Sequence, residues 1–112
     1  MNKNKIEKIL KIGGATLNKQ GKLAQFKNGY QVSKKDCYIL DISQLNNVLQ
    51  AIDNLLNTIK QNEYVGVWVD DGKCYIDISV RHANILQALK VGARLKQISI
   101  FDWSSKECIY LK

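Results

Sequence analysis

Residues 64–80 alternate apolar and polar side chains on both sides of a central Asp-Asp-Gly turn, and this alternation constrains the fold more than any other feature of the chain. A period of two is typical of a half-buried strand, and Asp-Gly supplies the positive φ that a tight hairpin turn needs. The pattern predicts an antiparallel hairpin of strands 64–69 and 74–80. A sheet built on this hairpin has two unlike faces.

These faces can be sorted because alternate residues of a strand point to the same side. One face is aliphatic and is expected to pack against helices, whereas the other holds six of the chain's nine aromatic residues. The predicted aliphatic face comprises Val65, Val67, Val69, Cys74, Ile76, Ile78, Val80, Ile98, Ile100, Ile109 and Leu111. The predicted aromatic face comprises Tyr64, Trp68, Tyr75, Asp77, Ser79, Phe101, Trp103, Cys108 and Tyr110.

Three segments have the spacing of amphipathic helices. The clearest is 44–61, in which apolar residues recur three or four positions apart and Ser43 is placed to cap the first turn. A second helix is expected at 83–95, and a short N-terminal helix at 5–12 ends at a Gly-Gly pair. The apolar face of the central helix comprises Leu45, Val48, Leu49, Ile52, Leu55, Leu56 and Ile59.

The remaining segments carry strand and turn signals, including Asn28-Gly29, which is typical of a hairpin. Their strands are expected at 15–17, 23–27, 30–33, 37–42, 97–102 and 107–111. Together the elements predict a single α+β domain over residues 1–112. In this domain an antiparallel sheet packs on two amphipathic helices, and a short N-terminal helix completes the fold.

Positive charge is concentrated in residues 1–35, the basic N-terminal third. This segment holds nine lysines and one acid, whereas residues 36–112 hold eight basic and nine acidic residues. The basic N-terminal third can attract phosphates or an acidic protein surface. General solubility is the alternative explanation, because arginine, which is preferred for bidentate phosphate contacts, is confined to Arg81 and Arg94.

Few groups suit catalysis. His82 is the only histidine and has no metal-ligand partner at helical spacing. Asp77 and Asp102 form a candidate carboxylate pair for acid–base chemistry, although aspartates at strand ends commonly hydrogen-bond turns. We therefore predict no catalytic residue, no metal and no cofactor. A small nuclease centred on Asp77, His82 and Asp102 is the least favoured alternative.

The three cysteines lie far apart and form no Cys-x-x-Cys pair, which disfavours both a disulfide framework and a zinc site. No apolar stretch approaches the roughly 20 residues of a membrane helix, and the start of the chain lacks the apolar core of a secretory signal. These features predict a cytoplasmic protein.

Several segments carry a resemblance: GGATL at 13–17, KNGYQVS at 27–33, YVGVW at 64–68, YIDIS at 75–79 and QISIFDW at 97–103. Together they resemble small proteins of phages and other mobile elements, a group that includes anti-CRISPR and other counter-defence proteins. The resemblance implies a non-enzymatic binding protein of a bacterial host's cytoplasm. Its most concrete form is an inhibitor of a bacterial CRISPR nuclease, acting as a monomer or homodimer on the effector protein or its protein–RNA surface.

Two groups of residues are expected to contact the partner. The aromatic-face group comprises Trp68, Tyr75, Asp77, Phe101, Trp103 and Tyr110, and the basic group comprises Lys19, Lys22, Lys27, Lys34 and Lys35. The alternative function is a small nucleic-acid-binding protein, in which aromatic rings stack on bases and lysines follow the phosphates. The competing interpretation of the aromatic face is a second core, covered by the N-terminal strands or the first helix.

Overall fold

The computed structural model describes residues 1–111, in which three helices lie on one side of a six-stranded antiparallel sheet. The helices are α1 (Lys3–Ile12), α2 (Leu45–Thr58) and α3 (Ile85–Arg94). The strands are β1 (Gly14–Leu17), β2 (Tyr30–Asp41), β3 (Glu63–Asp70), β4 (Lys73–His82), β5 (Ser99–Asp102) and β6 (Glu107–Tyr110). They are ordered β1-β3-β4-β2-β5-β6 across the sheet. The predicted α+β class with an antiparallel sheet is confirmed.

The β3–β4 hairpin has the register that alternation requires. Val67 lies opposite Ile76, and Trp68 lies opposite Tyr75, so like residues share a face. Asp71 and Gly72 both have positive φ, at 49° and 73°, as a tight hairpin turn demands. The hairpin therefore sets the two unlike faces of the sheet.

The aliphatic face forms the main core. Its larger cluster joins α1 and α2 to β1, β3 and β4, and a smaller one joins α3 to β2, β5 and β6. Fully burying one aliphatic side chain contributes about 1.5–3 kcal/mol relative to leaving it exposed. The most buried row along α2 and its C-cap is Val48, Ile52, Leu55 and Ile59, whereas Leu45, Leu49 and Leu56 are only partly buried.

The region before α2 differs from the sequence prediction. The predicted strand at 23–27 is wrong, since Leu23 makes only an isolated bridge to Leu17. The two predicted strands 30–33 and 37–42 are one strand, β2, which pairs with both β4 and β5. Register shifts at Ser33/Lys35 and Asp36/Tyr38 interrupt its alternation, which explains why the sequence reads as two pieces. The Asn28-Gly29 hairpin is therefore absent.

The start of α2 also differs, because Gln44 and not Ser43 occupies the N-cap, without a side-chain hydrogen bond. Ser43 instead donates its N–H and its hydroxyl to Asp41 Oδ1, at 2.9 and 2.7 Å. These two hydrogen bonds hold the pKa of the Asp41 carboxyl below its usual value. Ser43 thus closes the turn after β2 and leaves α2 uncapped.

Candidate binding surface

The sheet face opposite the helices is concave. The ring centroids of Trp68 on β3 and Phe101 on β5 lie 5.6 Å apart, although β4 and β2 separate these strands. Neighbouring strands are about 4.8 Å apart, so a flat sheet would place β3 and β5 roughly 14 Å apart. The sheet therefore curls towards the predicted aromatic face, which we call the concave face.

Residues 18–29, which we call the strap, cover one end of the concave face. Phe26 of the strap makes edge-to-face contacts with Tyr64 and Trp103, with ring centroids 5.7 and 5.4 Å apart. The Arg81 guanidinium carbon lies 4.9 Å from the centroid of the Phe26 ring, and its nitrogens donate to the Asn28 carbonyl oxygen at 2.9 and 3.0 Å. These contacts fix the strap over the sheet.

Trp103 lies inside the cluster beneath the strap. It is 8% exposed, and its indole Nε1 donates to Gln31 Oε1 at 3.0 Å. Gln31 Nε2 in turn donates to Ser79 Oγ at 2.8 Å, and both of these side chains are buried. Because buried polar groups need partners, this chain of hydrogen bonds marks Trp103 as part of a second core with Phe26, Tyr64 and Phe101.

An exposed apolar row crosses the other end of the concave face. Trp68 lies opposite Tyr75, and Tyr75 lies opposite Ile39 of β2, so the three side chains share one row. Their exposed fractions are 38%, 36% and 69%. Ile12 and Leu23, exposed by 74% and 52%, line a groove with Trp68. We call these five residues the apolar band.

The groove beside Trp68 has a volume of about 210 Å³ and is bounded by the strap, Phe101 and Trp103. Gly14 lines it, and a Cβ there would lie 2.3 Å from the Val67 carbonyl oxygen and 3.1 Å from the Trp68 ring. Only glycine allows β1 to approach β3 so closely. The groove is smaller than the roughly 300 Å³ at which small-molecule pockets begin, so it suits one side chain of a partner.

Asp77 stands in the row next to the apolar band. It lies opposite Gly66 on one side and opposite Asp36 on the other. Its Oδ1 atom is buried without a hydrogen-bond partner, and a Cβ at position 66 would lie 2.3 Å from that atom. Burial raises the pKa of Asp77 to about 7, and the Asp36 carboxylate adds to the rise. The concave face thus contains a carboxyl group that is partly protonated at neutral pH.

The residues of the alternative nuclease site do not come together. His82 and Asp102 both lie in register with Tyr30, on the side of the sheet opposite Asp77. Asp102 Oδ1 accepts a hydrogen bond from the Ser104 N–H at 2.9 Å and so closes a turn. The candidate Asp77–Asp102 pair of that alternative is therefore not formed. Across residues 1–111, no three His, Cys, Asp or Glu side chains group as metal ligands.

The lysines of the predicted basic group fall into two classes. Lys19 Nζ donates to the Ile59 carbonyl oxygen, and Lys34 Nζ forms an ion pair with Glu63 at 2.5 Å. Lys22, Lys27 and Lys35 are exposed. The first two lysines have structural roles, and the last three are free to contact a partner.

Tyr110, the remaining predicted site residue, is 71% exposed on β6 at the edge of the sheet. Sequence reasoning missed Ile12, Leu23 and Ile39 of the apolar band and Phe26 of the second core. A signal for Ile39 existed: Tyr38-Ile39-Leu40 is apolar at consecutive positions, so a strand there places an apolar residue on each face. No comparable signal places Phe26, which contacts the sheet through the tertiary fold.

Comparison with protein-family models, curated proteins and solved structures gives no match. Among residues 1–111, none of the helices combines the length and the apolar character that crossing a membrane would require.

Proposed function

We propose that the chain is a non-enzymatic binding protein of the mobile-element type. In its most concrete form it inhibits a bacterial CRISPR nuclease in the cytoplasm of the host, by occupying the effector protein or its protein–RNA surface. The observation that carries this proposal is the exposed apolar band on the concave face. The resemblance of the sequence to counter-defence proteins supplies the class of partner.

The apolar band has the composition of an interface. Trp68 and Tyr75 are rigid amphipathic side chains of the kind that dominate binding energy, and Ile39 extends their row by a third apolar residue. Monomers rarely leave contiguous apolar patches above a few hundred Å² uncovered. A partner that covers the band and inserts one side chain into the adjacent groove would bury it.

The charge around the band favours an acidic partner surface. Exposed Lys11 and Lys22 directly precede Ile12 and Leu23 in the chain, and the whole chain carries a net charge of +7. Positive charges at the rim of an interface mainly accelerate association with a partner of opposite charge. An effector loaded with guide RNA offers the phosphates of that RNA to these lysines.

The test is inhibition of DNA cleavage by guide-RNA-loaded CRISPR nucleases. We expect the protein to block cleavage by a susceptible nuclease at near-stoichiometric concentration, and Trp68→Ala or Tyr75→Ala to weaken binding about thirtyfold or more. The matched control is Leu86→Ala, which truncates a side chain that is 73% exposed on α3 and should bind normally. Unimpaired cleavage across a broad panel of nucleases would contradict the inhibitor proposal.

Single-stranded nucleic-acid binding is the second candidate, favoured by the exposed rings of Trp68 and Tyr75 on adjacent strands. Rings placed in this way can stack on bases. The measurement is binding to a labelled single-stranded RNA over a range of salt concentrations. A steep loss of affinity with rising salt would support this candidate, because phosphate contacts release counterions. The affinity of an aromatic-centred protein interface would change little with salt.

A further inference from the structure

The two edges of the sheet differ in whether their backbone groups are covered. At the β1 edge the strap folds back on the strand: the Ala24 N–H donates to the Thr16 carbonyl oxygen at 2.8 Å, and Leu17 bridges Leu23. The neighbouring turn is closed by the Asn18 N–H, which donates to the Lys22 carbonyl oxygen at 2.9 Å. The β1 edge is therefore not available to a further strand.

The β6 edge is open within the part of the chain that the structure describes. The Leu111 N–H donates to the Ile98 carbonyl oxygen at 2.8 Å, and the direction of such bonds alternates along an antiparallel strand. Ile109 therefore directs its backbone groups to β5, whereas Cys108 and Tyr110 direct theirs away from the sheet. These outward N–H and C=O groups are a template for another strand.

Strand β6 is short and begins with the charged Glu107, but it lacks the other features that usually protect an edge. Glu107–Tyr110 contains no proline, no lysine and no bulge, although such features are how edges are commonly blocked. Tyr110 is 71% exposed, and Ile98, which directly precedes the adjacent strand β5, is 64% exposed. The edge is both apolar and free to form hydrogen bonds.

We propose that two copies of this chain associate through antiparallel pairing of their β6 strands, with the two-fold axis at Ile109. In this register Cys108 of each copy lies opposite Tyr110 of the other. Each such pair exchanges both of its N–H···O=C bonds, so all the outward groups of Cys108 and Tyr110 are satisfied. The Tyr110 ring then lies beside the other copy's Cys108 thiol, a favourable sulfur–aromatic arrangement.

The closed β1 edge determines the form of the assembly. Head-to-tail addition of β6 to β1 would generate a ring or an open filament, but the strap occupies β1. Within residues 1–111, the part of β2 beyond its two pairs with β5 also lacks a strand partner on that side, but it carries Lys34, Lys35 and two register shifts, features that block edge pairing. We therefore place the contact at β6, where an isologous β6–β6 contact closes after two subunits. A second copy of this chain is a suitable occupant of the open β6 edge, because its own β6 strand supplies every donor and acceptor that the outward groups of the first copy need.

The experiment introduces a cysteine at the proposed axis. In a Cys37→Ser, Cys108→Ser background, Ile109→Cys would face its counterpart in a non-hydrogen-bonded pair with Cα atoms about 4.5 Å apart, within the roughly 4.4–6.8 Å that a disulfide requires. We expect mild oxidation to convert most of this variant to a covalent dimer. The matched control is Ile98→Cys in the same background, which is more exposed but lies one strand away from the axis, and should cross-link at least about tenfold less.

Sedimentation of the unmodified protein gives a second readout. We expect a concentration-dependent dimer of the 12.7 kDa chain, and Tyr110→Pro should shift it to monomer while keeping the thermal midpoint that wild type has when it is diluted to monomer. Proline at this position removes an outward N–H and leaves the β5 hydrogen bonds intact. Three results would each overturn the proposal: a wild-type monomer at all concentrations, a Tyr110→Pro variant that is still dimeric, or equal cross-linking by the Ile98→Cys and Ile109→Cys variants.

Discussion

The Asp77 carboxyl is held where its charged form is poorly stabilised. Its Oδ1 atom is buried without a hydrogen bond, the absence of a side chain at Gly66 makes room for it, and the nearest strand partner across β2 is the like-charged Asp36. Removal from water is the main reason that its pKa rises to about 7. The folded state therefore binds a proton more tightly at this position than the unfolded chain does.

The raised pKa of Asp77 makes the stability of the fold depend on pH. Between the ordinary value of 3.8 and about 7, the folded protein binds more protons at Asp77 than the unfolded protein, so its contribution to stability falls as pH rises through this window. Asp77→Asn removes the titration. We expect this variant to be more stable than wild type at pH 8, by about 2–4 kcal/mol, and to lose that advantage near pH 4.

Denaturant unfolding from pH 4 to pH 8 measures this difference, with exposed Asp70→Asn as the control. If the free energies of unfolding of Asp77→Asn and wild type change in parallel over that pH range, burial does not raise the pKa of Asp77.

Among the elements, β2 and the strap show what the sequence could and could not predict. The hairpin β3–β4 and the helices follow from local periodicity, because residues 64–80 alternate cleanly and α2 repeats at helical spacing. Strand β2 escapes such reasoning because its two register shifts break the alternation. The strap position depends on contacts of Phe26 and Arg81 that are distant in sequence, so no local pattern encodes it.

The same limit applies to the candidate site. Trp68 and Tyr75 could be placed on one face from their register, but the exposure of these rings and the burial of Trp103 depend on where the strap ends. A period of two identifies a face and does not determine what covers it.

Helix α2 provides the element-scale prediction. Ile52 is fully buried against α1 and the sheet, whereas Asn54 is exposed on the opposite face. Ile52→Ala should lower the free energy of unfolding by about 2–5 kcal/mol because it leaves a cavity. Asn54→Ala should change it by at most about 0.5 kcal/mol. Chemical denaturation compares the two, and an unchanged midpoint for Ile52→Ala together with a lowered one for Asn54→Ala would reverse the assignment of the buried face.

At the scale of the whole molecule, the helices and the candidate binding surface lie on opposite faces of one sheet. The aliphatic face supplies the main core, which leaves the concave face free to hold the second core and the apolar band. The basic N-terminal third contributes both to the packing of the fold and to its exposed surface. Lys19 and Lys34 form a hydrogen bond and an ion pair inside the molecule, whereas Lys22, Lys27 and Lys35 remain exposed.

This division predicts different effects for two sets of lysine variants. Changing Lys22, Lys27 and Lys35 to Gln should slow association with a susceptible guide-RNA-loaded nuclease at low salt and leave dissociation nearly unchanged. Changing Lys19 and Lys34 to Gln should act mainly on thermal stability. Stopped-flow association rates at several salt concentrations test this, because screening limits such charges to about 8–10 Å near physiological salt. Equal on-rates for wild type and the exposed-lysine variant would exclude electrostatic attraction by these residues.

The most direct test of the account pairs stability with affinity for three aromatic truncations: Trp68→Ala, Tyr75→Ala and Trp103→Ala. Trp103 is buried and hydrogen-bonded, so its truncation should cost about 3–5 kcal/mol of stability. Trp68 and Tyr75 are more than a third exposed, so truncating either should cost clearly less stability than truncating Trp103, although Trp68 also packs on Phe101. Each of the two truncations should weaken nuclease binding by about 2 kcal/mol or more. Comparable losses of stability in all three variants, or full affinity in well-folded Trp68→Ala and Tyr75→Ala proteins, would contradict the claim that the apolar band is the binding surface.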